Sequence, residues 1–577
     1  MMFLAASSDA NAKTFYLKPN SNWTQANARF AIYAFGSGEA WFDMTAVSGN
    51  AGYYQATVDD KYPQVIFCRM NPSAAANVWA NKWNQTQDMA VQSDKNLCII
   101  MDGEWDNGGY WTVYGNEELP EVDPDPTDYG TAVPDECGDV MLQAFYWDSY
   151  EDKGYGITNW ANLINQVDEI GTYFDLVWLP PSAKSSGGTG YHPKNYATQA
   201  SRAWGTRANL FTLIGLLHNH QTRVIADIVI NHADNNNSPC DYETYDFGRF
   251  GKFSPKSTWM TKNDEGVTEH GCTGGANNDD GQHDANYGAA RDWDHLNTNV
   301  QNMFKAYLRY MKDSIGYDGW RYDYAGGFHV SHINDYNTAS MPYFSVIEYW
   351  DGNATTLKTR IDQAGKNTLA FDFAAKYTAF RDGINNKAYS NLIAPGLRGK
   401  GYSKYAVTFI DNHDTFNRGN GNEPNGAGNG SSINNTSLMM RCNAYLLSMP
   451  GVPCVFWPHW VKYKAEIKAM ITARKKAGIH SESSVDESYG SGWYQATVHG
   501  KYGNVILYLG SKASEAAPSG YQQAVKGSDY AMYYTGNGWQ GIEDVNTVQR
   551  GEKFIKDGQL FIRVDEKVYD IQGRRIQ

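Results

Sequence analysis

The chain has no long apolar run, no basic block and few cysteines, and each lack removes a class of function. No stretch approaches the 18 or so apolar residues that a membrane span requires. Lysine and arginine number 49 against 63 aspartates and glutamates, a net charge of −14, and no Lys/Arg-rich run interrupts the chain. That argues against nucleic acid or an anionic membrane as partner. The seven cysteines form no C-x-x-C motif. Cys240 and Cys272 fall in one stretch and a bridge between them is open, but free buried thiols are the expectation. The opening Met1-Met2-Phe3-Leu4-Ala5-Ala6-Ser7 is too short for a signal peptide and lacks a basic n-region.

What is abundant is aromatic. Phe, Trp and Tyr make up 14% of the chain, with 18 Trp and 40 Tyr. Much of this must be core, but flat amphipathic rings are also platforms for sugar faces. A length of 577 residues implies three or four domains. The run Glu118-Leu119-Pro120-Glu121-Val122-Asp123-Pro124-Asp125-Pro126-Thr127-Asp128 has three prolines, five acids and almost nothing to bury, so 117–137 reads as a charged, extended linker. Before it, 12–116 shows strand-like alternation over Ala28–Phe35, Gln55–Val58 and Gln64–Met70 and no convincing helix, as in a small β-sandwich.

After the linker, apolar runs of β type occur at Val140–Phe145, Phe174–Leu179, Val224–Ile230, Asp318–Tyr322, Tyr343–Ile347, Leu369–Phe373, Ala406–Ile410 and Pro453–Trp457. Helical periods lie between them; Trp160, Leu163, Ile164, Val167 and Ile170 repeat at three and four residues. Eight strands alternating with helices imply a closed parallel (β/α)₈ barrel over 138–478. The Gly-, Asn- and Asp-rich stretch of about 233–290 breaks the rhythm, and so long an irregular insertion is usually functional. From 479 to 577 short strands return, as in an antiparallel C-terminal domain. Gly52-Tyr53-Tyr54-Gln55-Ala56-Thr57-Val58 is echoed by Gly492-Trp493-Tyr494-Gln495-Ala496-Thr497-Val498, read as similar hairpin pressures in two β domains rather than duplication.

Four of the strand runs end in chemistry. They lead into Asp227-Ile228-Val229-Ile230-Asn231-His232, Gly319-Trp320-Arg321-Tyr322-Asp323, Glu348-Tyr349-Trp350 and Phe409-Ile410-Asp411-Asn412-His413-Asp414. Polar groups at the C-terminal ends of successive strands are how a barrel builds an active site. Asp323 and Glu348 end adjacent strands, so two carboxyls can face each other across the barrel mouth, as glycosidic cleavage requires. Arg321 stands two residues before Asp323 on the same strand face, placed to aim it and keep it ionised.

This ordered set resembles the α-amylase family of glycoside hydrolases. Asp294-His295-Leu296-Asn297, Gly319 to Ala325 and Gly478-Ile479-His480-Ser481-Glu482-Ser483 resemble its plant-like branch, over residues 138 to 535. The resemblance implies an endo-acting, retaining α-1,4-glucan hydrolase acting as a monomer on starch, with Asp323 as nucleophile and Glu348 as general acid/base. It implies that Asp414 holds sugar hydroxyls and favours the distorted ring, that His232 and His413 bond the same sugar, and that Tyr191 is its aromatic platform. Ca²⁺ is implied, bound by Asn231, Asp292 and the carbonyl of Gly327 at the base of an inserted B domain; Asp279, Asp280 and Asp284 remain open as further ligands. Gly326-Gly327 departs from the Lys-His that many relatives carry after the nucleophile, and Arg418 is offset by one residue from an activating-chloride position.

The N-terminal segment resembles bacterial starch-binding modules, with Trp41, Trp79 and Trp83 as the implied contacts. Val568-Tyr569-Asp570-Ile571-Gln572-Gly573-Arg574-Arg575 resembles tails of secreted bacterial proteins, so an extracytoplasmic location is expected. A glucanotransferase or a maltogenic exo-hydrolase on the same scaffold is the alternative. A non-catalytic glycan-binding protein is disfavoured, because all three carboxylates and Arg321 are present.

Overall fold

A computed structural model describes residues 12–92, 95–100, 105–106, 109–115, 130–282, 290–416 and 433–539, with the backbone of strands at 552–556, 559–564 and 567–570. Most of the linker, Asp284, Arg418 and the tail after Asp570 lie outside these residues.

The eight apolar runs all form strands of one closed parallel barrel. They are β1 (Met141–Gln143), β2 (Leu176–Leu179), β3 (Arg223–Ile228), β4 (Gly319–Tyr322), β5 (Phe344–Ile347), β6 (Leu369–Phe371), β7 (Ala406–Phe409) and β8 (Val452–Phe456), and β8 pairs back onto β1. At β1, β3, β6 and β7 the last residues of the apolar run leave the ladder and lead into the mouth. The helical period after β1 is split into Trp160–Ile164 and Val167–Tyr173, with Trp160, Leu163, Val167 and Ile170 all buried. Asn159 caps the first of these by accepting from the Asn162 backbone N–H.

The described residues between 12 and 115 include two sheets packed face to face. One has the order Gly109–Thr112, Leu97–Ile100, Ala12–Lys18, Tyr54–Asp59, Thr45–Ala46; the other runs Glu39–Asp43, Arg29–Phe35, Gln64–Met70, Lys82–Gln85. Phe15, Leu17, Phe30, Ile32, Val65 and Phe67 fill the space between them. After the barrel, five antiparallel strands span Ser484–Tyr534. The two echoed segments are the strands Tyr54–Asp59 and Trp493–His499, each entered through a glycine of positive φ, Gly52 at +92° and Gly492 at +79°. A Cβ at either would meet nothing within 4 Å, so backbone conformation alone selects glycine there. Among the described residues, no helix is long and apolar enough to cross a membrane.

The insertion is mostly turns, based on a two-stranded pair His232–Ala233 with Arg291–Asp292. Here one expectation is corrected. Cys240 and Cys272 are disulfide-bonded, not free thiols. The insertion folds back on itself so that their Cα atoms lie 5.4 Å apart despite a separation of 32 residues, a proximity that composition alone does not reveal. The other five cysteines are buried and free.

Candidate active site

Arg321 organises the barrel mouth. Its guanidinium is 1% exposed, and Nη1 donates to Asp227 Oδ1 at 2.7 Å and to Asp323 Oδ1 at 2.6 Å. Nη2 lies 2.9 Å from Glu348 Oε2. Three carboxylates from three strands thus share one cation. The barrel register explains this, because Asp227 on β3 pairs directly with Arg321 on β4, and Asp323 is two residues beyond Arg321 on the same face. The ladder continues past the strand ends: Asp323 N–H donates to Ile228 O, Glu348 N–H to Tyr322 O and Ala325 N–H to Glu348 O, each at 3.0 Å. The two carboxylates therefore stand on extensions of the sheet rather than on loose loops. Between them Tyr324 takes a φ of +47°, a left-handed conformation unusual for a bulky residue, and its N–H donates to Glu348 Oε2 at 3.1 Å.

Burial raises all three carboxyls, and the Arg321 guanidinium opposes the rise at each. Burial pushes Glu348 up to about 7, with Arg321 opposing and Asp323 adding to the rise. Burial raises Asp227 to about 7 as well, again opposed by Arg321. Burial also raises Asp323, and here both the charge and the hydrogen bond of Arg321 pull it down. A carboxyl poised near neutrality, as Glu348 is, suits proton transfer. With Glu348 in the proton-donor role that the resemblance implies, the basic limb of kcat/KM is expected near pH 7. Glu348→Gln should flatten that limb and lower kcat by about 10²–10⁴-fold on a substrate with a poor leaving group. A limb that persists unchanged in Glu348→Gln would assign it to another group, Asp227 first.

On the opposite side, Asp414 Oδ1 accepts from Trp147 Nε1 at 3.1 Å and Oδ2 lies 3.3 Å from His413 Nε2. His413 in turn meets Tyr191 OH at 2.9 Å and Gln143 at 2.9 Å. Tyr191 OH donates to Asp227 Oδ2 at 2.7 Å, which completes a polar chain from β1 through the end of β7 to β3. The turn bearing Asp414 is fixed from below, since Asn412 Oδ1 accepts the N–H groups of Asp414 and Thr415, and the buried Asp411 pairs with Lys376 at 3.3 Å. His232 is 3% exposed with Nε2 at 3.0 Å from Tyr191 O; burial pulls its pKa down to about 4, so it is neutral. It braces the Tyr191 main chain.

Asp323, Glu348, Asp414, Arg321, Tyr191, His232 and His413 thus all lie in one bonded neighbourhood. Asn231, Asp292 and Gly327 meet beside it. Asn231 Nδ2 donates to Asp292 Oδ1 at 3.3 Å, and a Cβ at Gly327 would fall 2.2 Å from Asn231 Oδ1, so no side chain fits there. Asp280 faces His332 at 2.8 Å, and Asp279 Oδ1 accepts from Gly281 N–H. The tryptophans of the N-terminal sandwich fall into two groups. Trp41 and Trp79 touch edge to face at 4.9 Å and Tyr33 packs against both, whereas Trp83 lies elsewhere over Arg69.

Sequence reasoning gave no role to Asp227, Trp147, Gln143, Trp350, Asp264 or Glu265. Asp227 carried a signal, because a carboxylate inside an otherwise apolar barrel strand needs a buried cation. Trp350, directly after the Glu348-Tyr349 pair, is 41% exposed, stacked on Phe373 at 4.8 Å and tethered to Tyr377 OH. Asp264 and Glu265 gave no such signal, since short acidic turns are common.

Comparison with known proteins agrees with this arrangement. A family model described as the α-amylase catalytic domain matches residues 144–364. The chain is 28% identical to "Alpha-amylase 3, chloroplastic" of Arabidopsis thaliana over 450 residues, 73% of this chain; it spans about half (47%) of that protein's length. It is 29% identical to "Probable alpha-amylase 2" of the same plant over 447 residues, covering 73% of this chain and 99% of that one. Over 149 residues it is 32% identical to "Alpha-amylase type B isozyme" of Hordeum vulgare, covering 24% of this chain and 86% of that one. The crystal structure of a three-domain cyclomaltodextrin glucanotransferase superposes with a TM-score of 0.51 at 14% identity, over 69% of this chain and 99% of that one, which speaks to fold alone. With the barrel, the shared guanidinium and these matches together, the chain belongs to the α-amylase family of glycoside hydrolases.

Proposed function

We propose that the chain is an endo-acting, retaining hydrolase of α-1,4-glucosidic bonds in starch and related glucans, of the plant-like type. The observation that carries this reading is the single guanidinium of Arg321 holding Asp323 and Glu348 on adjacent strands, Asp323 through Nη1 and Glu348 through Nη2. The Asp323 carboxylate attacks the anomeric carbon while Glu348 gives its proton to the departing glucosidic oxygen. Glu348, now ionised, takes a proton from water, which displaces Asp323 and regenerates both groups. Asp414, with its Trp147 and His413 partners, receives ring hydroxyls, and Tyr191 lies under the sugar.

The test is the anomeric form and length of the products released first from amylose. Mixed oligosaccharides of α configuration support the reading. β products overturn the retaining mechanism. A single short product, or chains longer than the substrate, moves the function to an exo-hydrolase or a glucanotransferase with the same carboxylates.

Calcium belongs to this reading. The Asp264, Glu265 and Asp292 carboxylates each offer an oxygen within 4.8 Å of the others, and all are buried. Asp264 Oδ2 accepts from Asp292 N–H at 2.7 Å, and Asn231 lies against Asp292. Arg291 Nη2 faces Glu265 Oε1 at 2.7 Å, yet Oε2 has no hydrogen-bond partner among the described residues. One guanidinium against three buried carboxylates leaves negative charge for an oxygen-seeking divalent cation, so the residues fit Ca²⁺. Bound there, it would tie the two strands at the base of the insertion to the barrel. Chelation should lower the melting temperature by ~5 °C, for an ion held near a hundredfold above its dissociation constant. Scanning calorimetry in excess EGTA, then with Ca²⁺ restored, checks this; an unmoved transition counts against the site.

The Tyr33–Trp41–Trp79 cluster supports starch binding by the N-terminal sandwich, and the Cys240–Cys272 bridge supports an oxidising, extracytoplasmic setting.

A further inference from the structure

Four large exposed tryptophans occur among the described residues, and three of them, Trp79, Trp83 and Trp105, are on the N-terminal sandwich. Trp79 belongs to the cluster with Tyr33 and Trp41. The other two form a different object. The Arg69 guanidinium carbon lies 4.6 Å from the Trp83 ring centre and 5.3 Å from that of Trp105. Arg69 is only 6% exposed and is held by three bonds to neutral groups: Nε to Trp23 O at 2.9 Å, Nη2 to Gln25 O at 2.7 Å and Nη1 to Asn84 Oδ1 at 3.2 Å. The indoles lean on a cation that cannot move, and cation–π attraction keeps them there. Both stay exposed, Trp83 at 40% and Trp105 at 41%.

We propose that Trp83 and Trp105, held over Arg69, form a second α-glucan contact site, separate from the Tyr33–Trp41–Trp79 cluster. This rests on the glucan reading of the barrel given above. Sheet order separates the two. Trp41 is on the edge strand Glu39–Asp43 and Trp83 on Lys82–Gln85, with Arg29–Phe35 and Gln64–Met70 between them. Three inter-strand steps put Trp41 about 14 Å from Trp83; Trp79 precedes Trp83 by only four residues but meets Tyr33 and Trp41 instead, and no ring contact joins the groups among the described residues.

Three features select a sugar as occupant. Rigid exposed indoles present apolar faces that match the C–H faces of pyranose rings, at little cost in ordering. The rim supplies hydroxyl partners, because Asp106 accepts from Asn84 Nδ2 at 3.0 Å and from Gln85 N–H at 2.9 Å, setting an amide and a carboxylate beside the rings. The guanidinium is shielded by its three bonds and by the indoles, and the Asp106 carboxylate on the rim is engaged by Asn84 and Gln85, so the platform offers no exposed cation to draw an anionic ligand. Two contact sites on one module would raise retention on a polymeric glucan by local concentration, without a strong contact at either.

The experiment follows ¹⁵N indole Nε1–H signals of the full chain, carrying Asp323→Asn to prevent turnover, during titration with maltoheptaose. Single Trp→Phe variants assign the signals. The Trp83 and Trp105 signals are expected to move together along one saturation curve, and to do so equally with Trp41→Ala and Trp79→Ala present. Trp105→Ala should weaken the binding reported by Trp83 about tenfold. That variant keeps the Trp105 carbonyl, which accepts from Trp23 Nε1 at 2.8 Å, so the local fold retains its anchor. If Trp83 and Trp105 stay fixed while Trp147 in the barrel responds, the second site is overturned and the hydrolase reading stands. If they respond only with Trp41 and Trp79 intact, there is one site and the proposal fails. If Trp147 is silent as well, the glucan reading fails with it.

Discussion

Asp323→Asn should reduce turnover of soluble amylose by four orders of magnitude or more, about 5.4 kcal/mol in transition-state stabilisation. The amide is nearly isosteric, so Arg321 Nη1 still finds an oxygen where it now meets Asp323 Oδ1 at 2.6 Å. The lost quantity is the negative charge that forms the bond to the anomeric carbon. Maltoheptaose binding should survive within a few-fold, because Asp414, Trp147, His413 and Tyr191 are untouched. The decisive companion is Asp323→Ala with added azide. In a retaining enzyme the small anion enters the vacated space, attacks from the nucleophile's side and yields a β-glycosyl azide. Recovery of rate with that product assigns Asp323 as nucleophile. Wild-type turnover in Asp323→Asn would remove it from the chemistry, and a slow variant giving no β product would leave it an electrostatic role only.

The barrel was legible because each apolar run carries β-branched or aromatic residues, and because eight such runs recur with helical periods between them. The functional face was legible because Arg321 and Asp323 sit at an i, i+2 spacing, so one can brace the other whatever surrounds them. Asp227 was not assigned a role, since its partner lies 94 residues away and only the β3–β4 register brings the two together. Trp147 escaped for the same reason; its bond to Asp414 spans 267 residues. The insertion was legible as irregular but not in its contacts. Bridging of Cys240 to Cys272, and the gathering of Asp264 and Glu265 beside Asp292, follow from how turns fold back, and turns carry little periodicity to read. On the N-terminal sandwich, the resemblance grouped Trp41, Trp79 and Trp83, and ring contacts divide them, Trp41 with Trp79 and Trp83 with Arg69.

Arg321→Ala should be the most damaging single change to the stability of the barrel. The guanidinium is the shared partner of Asp227, Asp323 and Glu348, all of them buried. Removing one partner from a buried ion pair costs about 3–5 kcal/mol, because the remaining charge is left without compensation. Here three carboxylates lose the same cation. Their response is to take up protons, so each folded-state pKa rises further above its unfolded value. Glu348 and Asp227 begin at about 7. A carboxyl raised in the folded state destabilises progressively as pH rises above its unfolded pKa, near 4, and the loss is complete only above the folded value. Because wild-type Glu348 and Asp227 themselves ionise only near pH 7, the melting temperature of Arg321→Ala should differ from wild type by a nearly constant amount below that pH and fall further away above it. Activity should be lost at every pH, because an Asp323 that is protonated cannot attack. Arg321→Lys restores one positive charge but not the fork that reaches Asp323 through one nitrogen and Glu348 through the other, so it should recover part of the stability and little of the rate. A melting difference that does not change with pH would mean that Arg321 contributes packing rather than charge, and would break the link drawn between this guanidinium and the ionisation of the catalytic pair.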